Sequence, residues 1–461
     1  INKISVQKLI YQKKNILISI LFSILTFILL FLRDLFVIEE VEFDLKSDFF
    51  YLITFSVTIV SYALCSPLYE IFNKYLIKKE ISSIKNIFLF SLFINFLFSI
   101  FLILFLYFIF GFNFIFDGSN YLLLLSIINI PIGVFLILGN VIISTKKDPI
   151  FVVFGGIIVP ILCIFFILFL KFNIFYEILL GLILGQIINL FYIYFLIFNS
   201  SQLNYLIRNL ITTKSQISNN NYYELINSII LNLFLFLPFI FATLYFIRLS
   251  ESYVSYWVLF SKIIFTIFFF IIGFININFL SSLFNFKNLN KEEKILFLNK
   301  ILLITFNILI LITVTVLLIY ILFIDPLLNN ELKAYIFNDI SKILLIIPFF
   351  TYVFISIKFN LFHLNKINFN LIFFLFILII INWLCSIYIY NTNIYLFSIF
   401  AFYFSSIFII KVITLNYDKY FYYWLLFNIL CILIIFILDN NYVKFILFIN
   451  IMFTLPFSTF S

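Results

Sequence analysis

Long apolar runs alternate with short polar clusters from one end of the chain to the other. A run of about 18 residues or more, wound as a helix rising about 1.5 Å per residue, crosses a hydrocarbon layer about 30 Å thick. Cutting at the polar clusters predicts fourteen spans, at residues 15–32, 49–69, 87–112, 121–144, 150–170, 174–198, 224–247, 253–283, 297–324, 343–364, 371–390, 394–415, 421–438 and 445–460. The span 253–283 is long enough to tilt or to project past the membrane, and 445–460 sits at the short limit. The pattern predicts an all-α, polytopic membrane protein.

The longest polar connector, SSQLNYLIRNLITTKSQISNNNYYE over 199–223, leaves six spans before it and eight after. The expected architecture is two six-helix lobes plus two further helices. The N-terminal lobe covers 1–199, a cytoplasmic connector 200–223, the C-terminal lobe 224–415 and the final pair 416–461. A parallel repeat is suggested by the fourth span of each lobe, which carries a proline in its outer half (Pro131, Pro348) and ends in a basic inner turn (Lys146-Lys147, Lys366). Internal repeats of this kind build alternating-access transporters, with the cavity between the repeats.

Composition removes the soluble alternatives. The 461 residues are 65% hydrophobic and 10% charged, with a mean hydropathy of +1.24, whereas a soluble domain carries about 25% charged residues. The 72 Phe and the abundant Ile, Asn and Lys follow from AT-rich coding and point to no function. The first apolar run continues past signal-peptide length and ends in Leu32-Arg33-Asp34 without a small-residue cleavage pattern, so a retained helix is expected.

Charge gives the orientation. Assigning successive connectors to alternate sides places 20 of the 28 Lys and Arg on one side, among them Lys13, Lys14, Lys78, Lys79, Lys146, Lys147, Arg208, Lys291 and Lys294. The opposite side receives Arg33, Lys46, Lys171, Arg248, Lys333, Lys342 and Lys444, and Lys262 falls inside a span. By the positive-inside rule the basic side, with both termini, faces the cytoplasm of a bacterial inner membrane. The net charge of +8 then reflects topology and anionic lipid, and no nucleic-acid partner is expected.

Little in the chain points to covalent chemistry. Cys65, Cys163, Cys385 and Cys431 sit inside apolar runs at no metal-ligand spacing, and read as small core hydrophobes. His363 is the only histidine, which argues against a zinc site or a Ser-His-Asp machine; neither metal nor cofactor is expected. Gly181 and Gly185 lie on one helix face, where they allow a close helix contact. Charges at membrane depth are more informative, since each costs about 2.5–3.5 kcal/mol at a helix centre on insertion scales. Arg33-Asp34 closes the first span, Asp48 opens the second, and Lys262 lies ten residues into 253–283, where it either faces a cavity or snorkels outward beside Glu251. Lys358 and Lys411 lie close enough to the cytoplasmic side for snorkelling to explain them. No buried acid inside a predicted span is expected to mark a sodium or proton site.

The outer loop 33–48 holds Asp34, Glu39, Glu40, Glu42, Asp44 and Asp48 against two bases. It is either a solvated loop or the place of a catalytic carboxylate. The enzymatic alternative is therefore an integral-membrane polyprenyl-phosphate-sugar glycosyltransferase or polysaccharide polymerase. Against it, the other external segments are mostly too short to hold an acceptor.

The stretch Leu32-Arg33-Asp34, followed by Asp48-Phe49-Phe50, resembles the Arg-Asp and Asp-x-Phe-Phe signature of the MurJ lipid II flippases. These belong to the multidrug/oligosaccharidyl-lipid/polysaccharide (MOP) exporter superfamily. The likeness continues through Ile130-Pro131, Gly139-Asn140, Asp148-Pro149 and Gly181, Gly185 and Gln186, and covers roughly residues 15 to 200. It implies a monomeric flippase, serving peptidoglycan or polysaccharide biosynthesis. Such a flippase carries an undecaprenyl-linked saccharide from the cytoplasmic to the outer leaflet through a partly cationic cavity, with a lipid-tail groove at the last two helices. In that reading Arg33 and Lys262 attract the pyrophosphate, while Asp34 and Asp48 limit how tightly it is held. The alternative for Arg33 is a pair with Asp34 or Asp48 at the membrane edge. Lipid II flippases carry further cavity arginines where this chain has Phe27, Ser61 and Leu259 or Lys262. The less basic cavity leaves a polysaccharide-unit flippase of the Wzx type beside a lipid II flippase.

Overall fold

The structure, a computed structural model, describes residues 45–78, 80–110, 127–146, 150–170, 174–212, 219–249, 349–357 and 369–414, with residue 346 and single positions within 18–36 and 254–265. Among these the regular structure is helical throughout, as lipid demands of a chain that must satisfy its backbone N–H and C=O groups within each segment. In chain order the helices are α1 (Leu45–Lys78), α2 (Ile81–Phe110), α3 (Asn129–Lys146), α4 (Ile150–Leu170), α5 (Ile174–Phe198), α6 (Ser201–Thr212), α7 (Asn219–Ile247), α8 (Phe369–Tyr388) and α9 (Thr392–Thr414). Five of them, α1, α2, α5, α7 and α8, contain stretches long and apolar enough to cross a membrane, and α3, α4 and α9 contain shorter apolar stretches. The protein is an all-α polytopic membrane protein. The predicted spans 297–324, 421–438 and 445–460 lie outside the described residues, as does Cys431.

Local chemistry sets the helix ends. At the close of α1 the Glu80 N–H bonds back to the Tyr75 carbonyl at 3.0 Å, the six-to-one bond that ends many helices. The Glu80 carbonyl then accepts from the Ile84 N–H at 3.3 Å, so the same residue stops one helix and starts the next. Two differences from the sequence reading stand out. The connector 199–223 is helical over Ser201–Thr212, and α1 continues to Lys78, well past the residue 69 expected from the polar cluster that follows.

The transverse pattern is the reverse of a soluble helix. On α2 the large apolar side chains Leu89, Phe93, Phe96, Leu97, Ile100, Phe101 and Leu104 are exposed, while Ser91, Asn95 and Ser99 are buried at four-residue spacing. In a lipid solvent the apolar face needs no cover, and the polar face gains by turning toward protein.

Contacts divide the chain into two compact units, Ile1–Leu233 with Gly273–Phe284, and Phe234–Ile272 with Asn285–Ser461; the division passes through α7. In the first unit α1 packs on α3 and α2, α3 also packs on α5, and α4 lies along α5. The α4–α5 contact is made at backbone distance. A methyl group built on Gly181 would stand 2.5 Å from Cys163 Cα, and one on Gly185 would stand 2.8 Å from Val159 Cα. Gly155 gives way in turn to the Asn189 amide.

In the second unit α8 pairs with α9, and an aromatic core gathers Phe236, Phe239, Phe265, Phe350 and Tyr403. Pro238 removes one backbone donor from α7. One residue beyond the carbonyl thus released, Leu235 O accepts the Tyr403 hydroxyl at 2.6 Å. Cys65 and Cys163 are buried as the sequence suggested, but Cys385 is half-buried, since it sits on α8, whose flank carries exposed Ile381 and Trp383.

Candidate functional site

Among the helices that can cross a membrane, α1 is the most enclosed: 83% of its most apolar stretch is buried, against 28% for α2, α5 and α8. A polar residue on α1 is therefore aimed at protein, and each needs a reason. Cys65 Sγ donates to Asn95 Oδ1 at 3.6 Å, which sets α1 and α2 antiparallel from the turn at residue 80. Tyr69 donates its hydroxyl to Ser144 Oγ on α3 at 3.2 Å. Asn232 Nδ2 on α7 donates to Ser66 Oγ at 3.2 Å. Near the start of α7, the Tyr222 ring lies 4.7 Å from that of Phe90 on α2, so α7 runs antiparallel to α1.

One turn beyond Ser66 lies Glu70, only 4% exposed. At i and i+4, Ser66 and Glu70 share one face of α1. Ser228, one turn before Asn232 on α7, is fully buried. Asn232 Oδ1, Asn227 Nδ2 and Asn73 Oδ1 make no hydrogen bond among the described residues, so α1 and α7 keep both donors and acceptors to offer a polar guest. Inside the first unit, α1 thus carries a buried carboxylate one turn from a hydroxyl that meets an α7 amide. The set can bind a hydroxyl-rich or cationic group. It contains no nucleophile paired with a base, and no group of three or more His, Cys, Asp or Glu able to hold a metal occurs among the described residues.

The residues singled out from the sequence fall as follows. Arg33 is helical and buried, 7% exposed. Asp48 lies on the first turn of α1, two residues before buried Phe50. Asp34 and Lys262 lie outside the described residues.

Sequence reasoning missed two buried acids. The basic cluster after Glu70 draws the predicted span end to residue 69, yet Glu70 belongs to the apolar stretch Phe50–Leu76. The polar spacing Tyr62, Ser66, Glu70, Asn73 is the signal that marks it as part of a helix face. Glu177, 3% exposed, lies in the first turn of α5, where the positive end of the helix dipole favours a carboxylate.

No family model matches the chain, and no curated protein matches it in sequence. Solved structures do resemble it. A MATE protein crystallised with MaL6 superposes with a TM-score of 0.59 at 13% identity, over 86% of this chain and 93% of its own. An outward-facing multidrug resistance MATE family transporter of the MOP superfamily gives 0.59 at 13% identity, over 87% of this chain and 93% of its own. The lipid II flippase MurJ in an inward closed conformation gives 0.57 at 15% identity, over 95% of this chain and 98% of its own. At such identities the likeness is one of fold, and the chain has the fold of these MATE and MurJ proteins.

Proposed function

We propose that the protein is a flippase. It carries an undecaprenyl-pyrophosphate-linked saccharide, lipid II or a polysaccharide repeat unit, from the cytoplasmic to the outer leaflet of a bacterial inner membrane by alternating access. The observation that carries this reading is the fold, which is shared with a lipid II flippase over 95% of the chain. The physical demand agrees. A charged sugar head group crosses about 30 Å of hydrocarbon only beside polar side chains turned inward, and it needs no covalent step. The inward polar faces of α1, α2 and α7 and the buried Arg33 support that demand.

The proposed architecture keeps fourteen helices, lobes over 1–199 and 224–415, the connector 200–223, and the final pair 416–461, in a monomer with both termini cytoplasmic. Contacts pair segments assigned to the same side. Lys85 Nζ reaches Ile211 O at 2.7 Å, and Arg248 Nη1 reaches Ile387 O at 2.7 Å. Cysteine labelling at 199–223 and at 325–342 is expected to report opposite faces of the membrane; labelling of both from one side would overturn the topology.

Arg33 and Lys262 are proposed to attract the pyrophosphate, with Asp34 and Asp48 easing its release. In vesicles, Arg33→Ala and Lys262→Ala are each expected to reduce flipping about tenfold at unchanged expression, the scale of losing one charge-assisted hydrogen bond. Lys411→Ala should leave it unchanged. Equal activity in all three variants would refute the cationic site. Running lipid II beside an O-antigen-type donor separates the two substrates. Sugar transfer by the purified protein, abolished by changing Glu39, Glu40 and Glu42 together to Gln, would instead support the glycosyltransferase reading.

A further inference from the structure

The connector helix α6 carries an outward face that the transport reading leaves unused. Tyr205 and Ile211 are exposed at 66% and 70%, Arg208 between them is exposed too, and the three recur at three-residue spacing on one side. Ile207, one turn before Ile211, is buried, and the helix packs on α2 and α5. Lys85 of α2 donates to Ile211 O at 2.7 Å, placing a cation at the negative end of α6 and satisfying one of its last carbonyls. The helix is therefore held at the end of α2 where that span begins.

Its surroundings identify what meets the face. On α5 the exposed residues Leu184, Ile188, Phe191, Phe195 and Phe198 recur at alternating spacings of four and three, the stripe that a membrane-crossing helix shows to lipid. The stripe ends three residues before α6 begins, and the chain turns there through Asn199 and Ser200, whose N–H groups bond to Phe195 O and Ile197 O. A face made of tyrosine, arginine and isoleucine, beginning where a lipid-facing stripe stops, has the chemistry of the boundary between acyl chains and head groups. Exposed Tyr223, at the start of α7, adds a second tyrosine close by in the chain.

We propose that α6 is an interfacial anchor that binds anionic phospholipid. Tyr205 and Ile211 sit at the level of the glycerol backbone, and Arg208 pairs with a lipid phosphate. The charged partner is the head group of an anionic lipid, because a basic residue near such a surface gains roughly fivefold in attraction over a neutral one.

The test uses the full chain in vesicles of phosphatidylethanolamine, with or without about a third phosphatidylglycerol. A Tyr205→Trp variant, compared with the parent protein, is expected to be quenched more by lipids brominated near the glycerol than by lipids brominated at the chain ends. Spin-labelled phosphatidylglycerol should associate with the parent in preference to spin-labelled phosphatidylcholine, and Arg208→Gln should lower that preference roughly fivefold, whereas Arg208→Lys should keep most of it. If the added indole of the Tyr205→Trp variant escapes quenching by either lipid, the face lies in water or against a second copy, and the proposal is overturned. An unchanged lipid preference in Arg208→Gln would overturn it equally.

Discussion

Gly181→Ala is expected to lower the thermal midpoint of the detergent-solubilised protein by several degrees, and Gly181→Leu to leave little folded protein. The first added atom would stand 2.5 Å from Cys163 Cα and 2.8 Å from its backbone nitrogen, and neither can rotate aside as a side-chain tip would. Admitting it forces α4 and α5 apart along the contact that Gly185 shares, at an overpacking cost of about 1–3 kcal/mol for a methyl group and more for leucine. Gly156 supplies the control: it lies on the same helix as Cys163 and has nothing within 4 Å of the added position. Gly156→Ala should be neutral or stabilising, since alanine exceeds glycine in helix propensity by about 1 kcal/mol. Equal losses in Gly181→Ala and Gly156→Ala would show that backbone contact is not what the Gly181 position protects.

Glu70→Leu is expected to abolish flipping in vesicles when transport is counted per folded molecule, beyond any loss of folded protein. The carboxylate is buried in a stretch apolar enough to span a bilayer, one turn after Ser66, which accepts from Asn232 of α7. An ionisable group at membrane depth costs about 2.5–3.5 kcal/mol on insertion scales, so leucine makes the span easier to insert. Replacing a whole buried polar set by packed apolar groups is often neutral for stability, whereas removing one member strands the others and costs stability. A position kept for structure alone would lose folded protein but keep transport per folded molecule. Asn232→Leu should reproduce much of the loss, and the double variant should be no worse than Glu70→Leu, as expected of groups that act as a unit. Transport per folded molecule that survives in Glu70→Leu would remove the α1–α7 cluster from the mechanism.

Much of the architecture is legible along the chain because span length is a one-dimensional quantity. The stretches 150–170 and 174–198, cut from polarity alone, coincide with α4 and α5, and the four-residue spacing of Gly181 and Gly185 already implied a close helix contact. Boundaries failed where polar residues continue a helix instead of ending it. The basic cluster after residue 73 hid the last turns of α1, and the polar composition of 199–223 hid α6, whose single buried isoleucine becomes meaningful only against α2 and α5.

What the sequence determined by itself is that this chain lies in a membrane as helices, since no soluble core could absorb a composition that is 65% hydrophobic and 10% charged. Which side of each helix meets protein was decided only by the tertiary structure. Lipid accepts every apolar side chain equally, so hydrophobic periodicity says little about facing. The facing is written in small and polar residues that gain something only when a particular neighbour arrives: Gly181 against the Cys163 backbone, Tyr69 against Ser144, Ser66 against Asn232. Glu70 belongs with them, because a carboxylate at the end of a predicted span reads as solvated until the tertiary structure buries it.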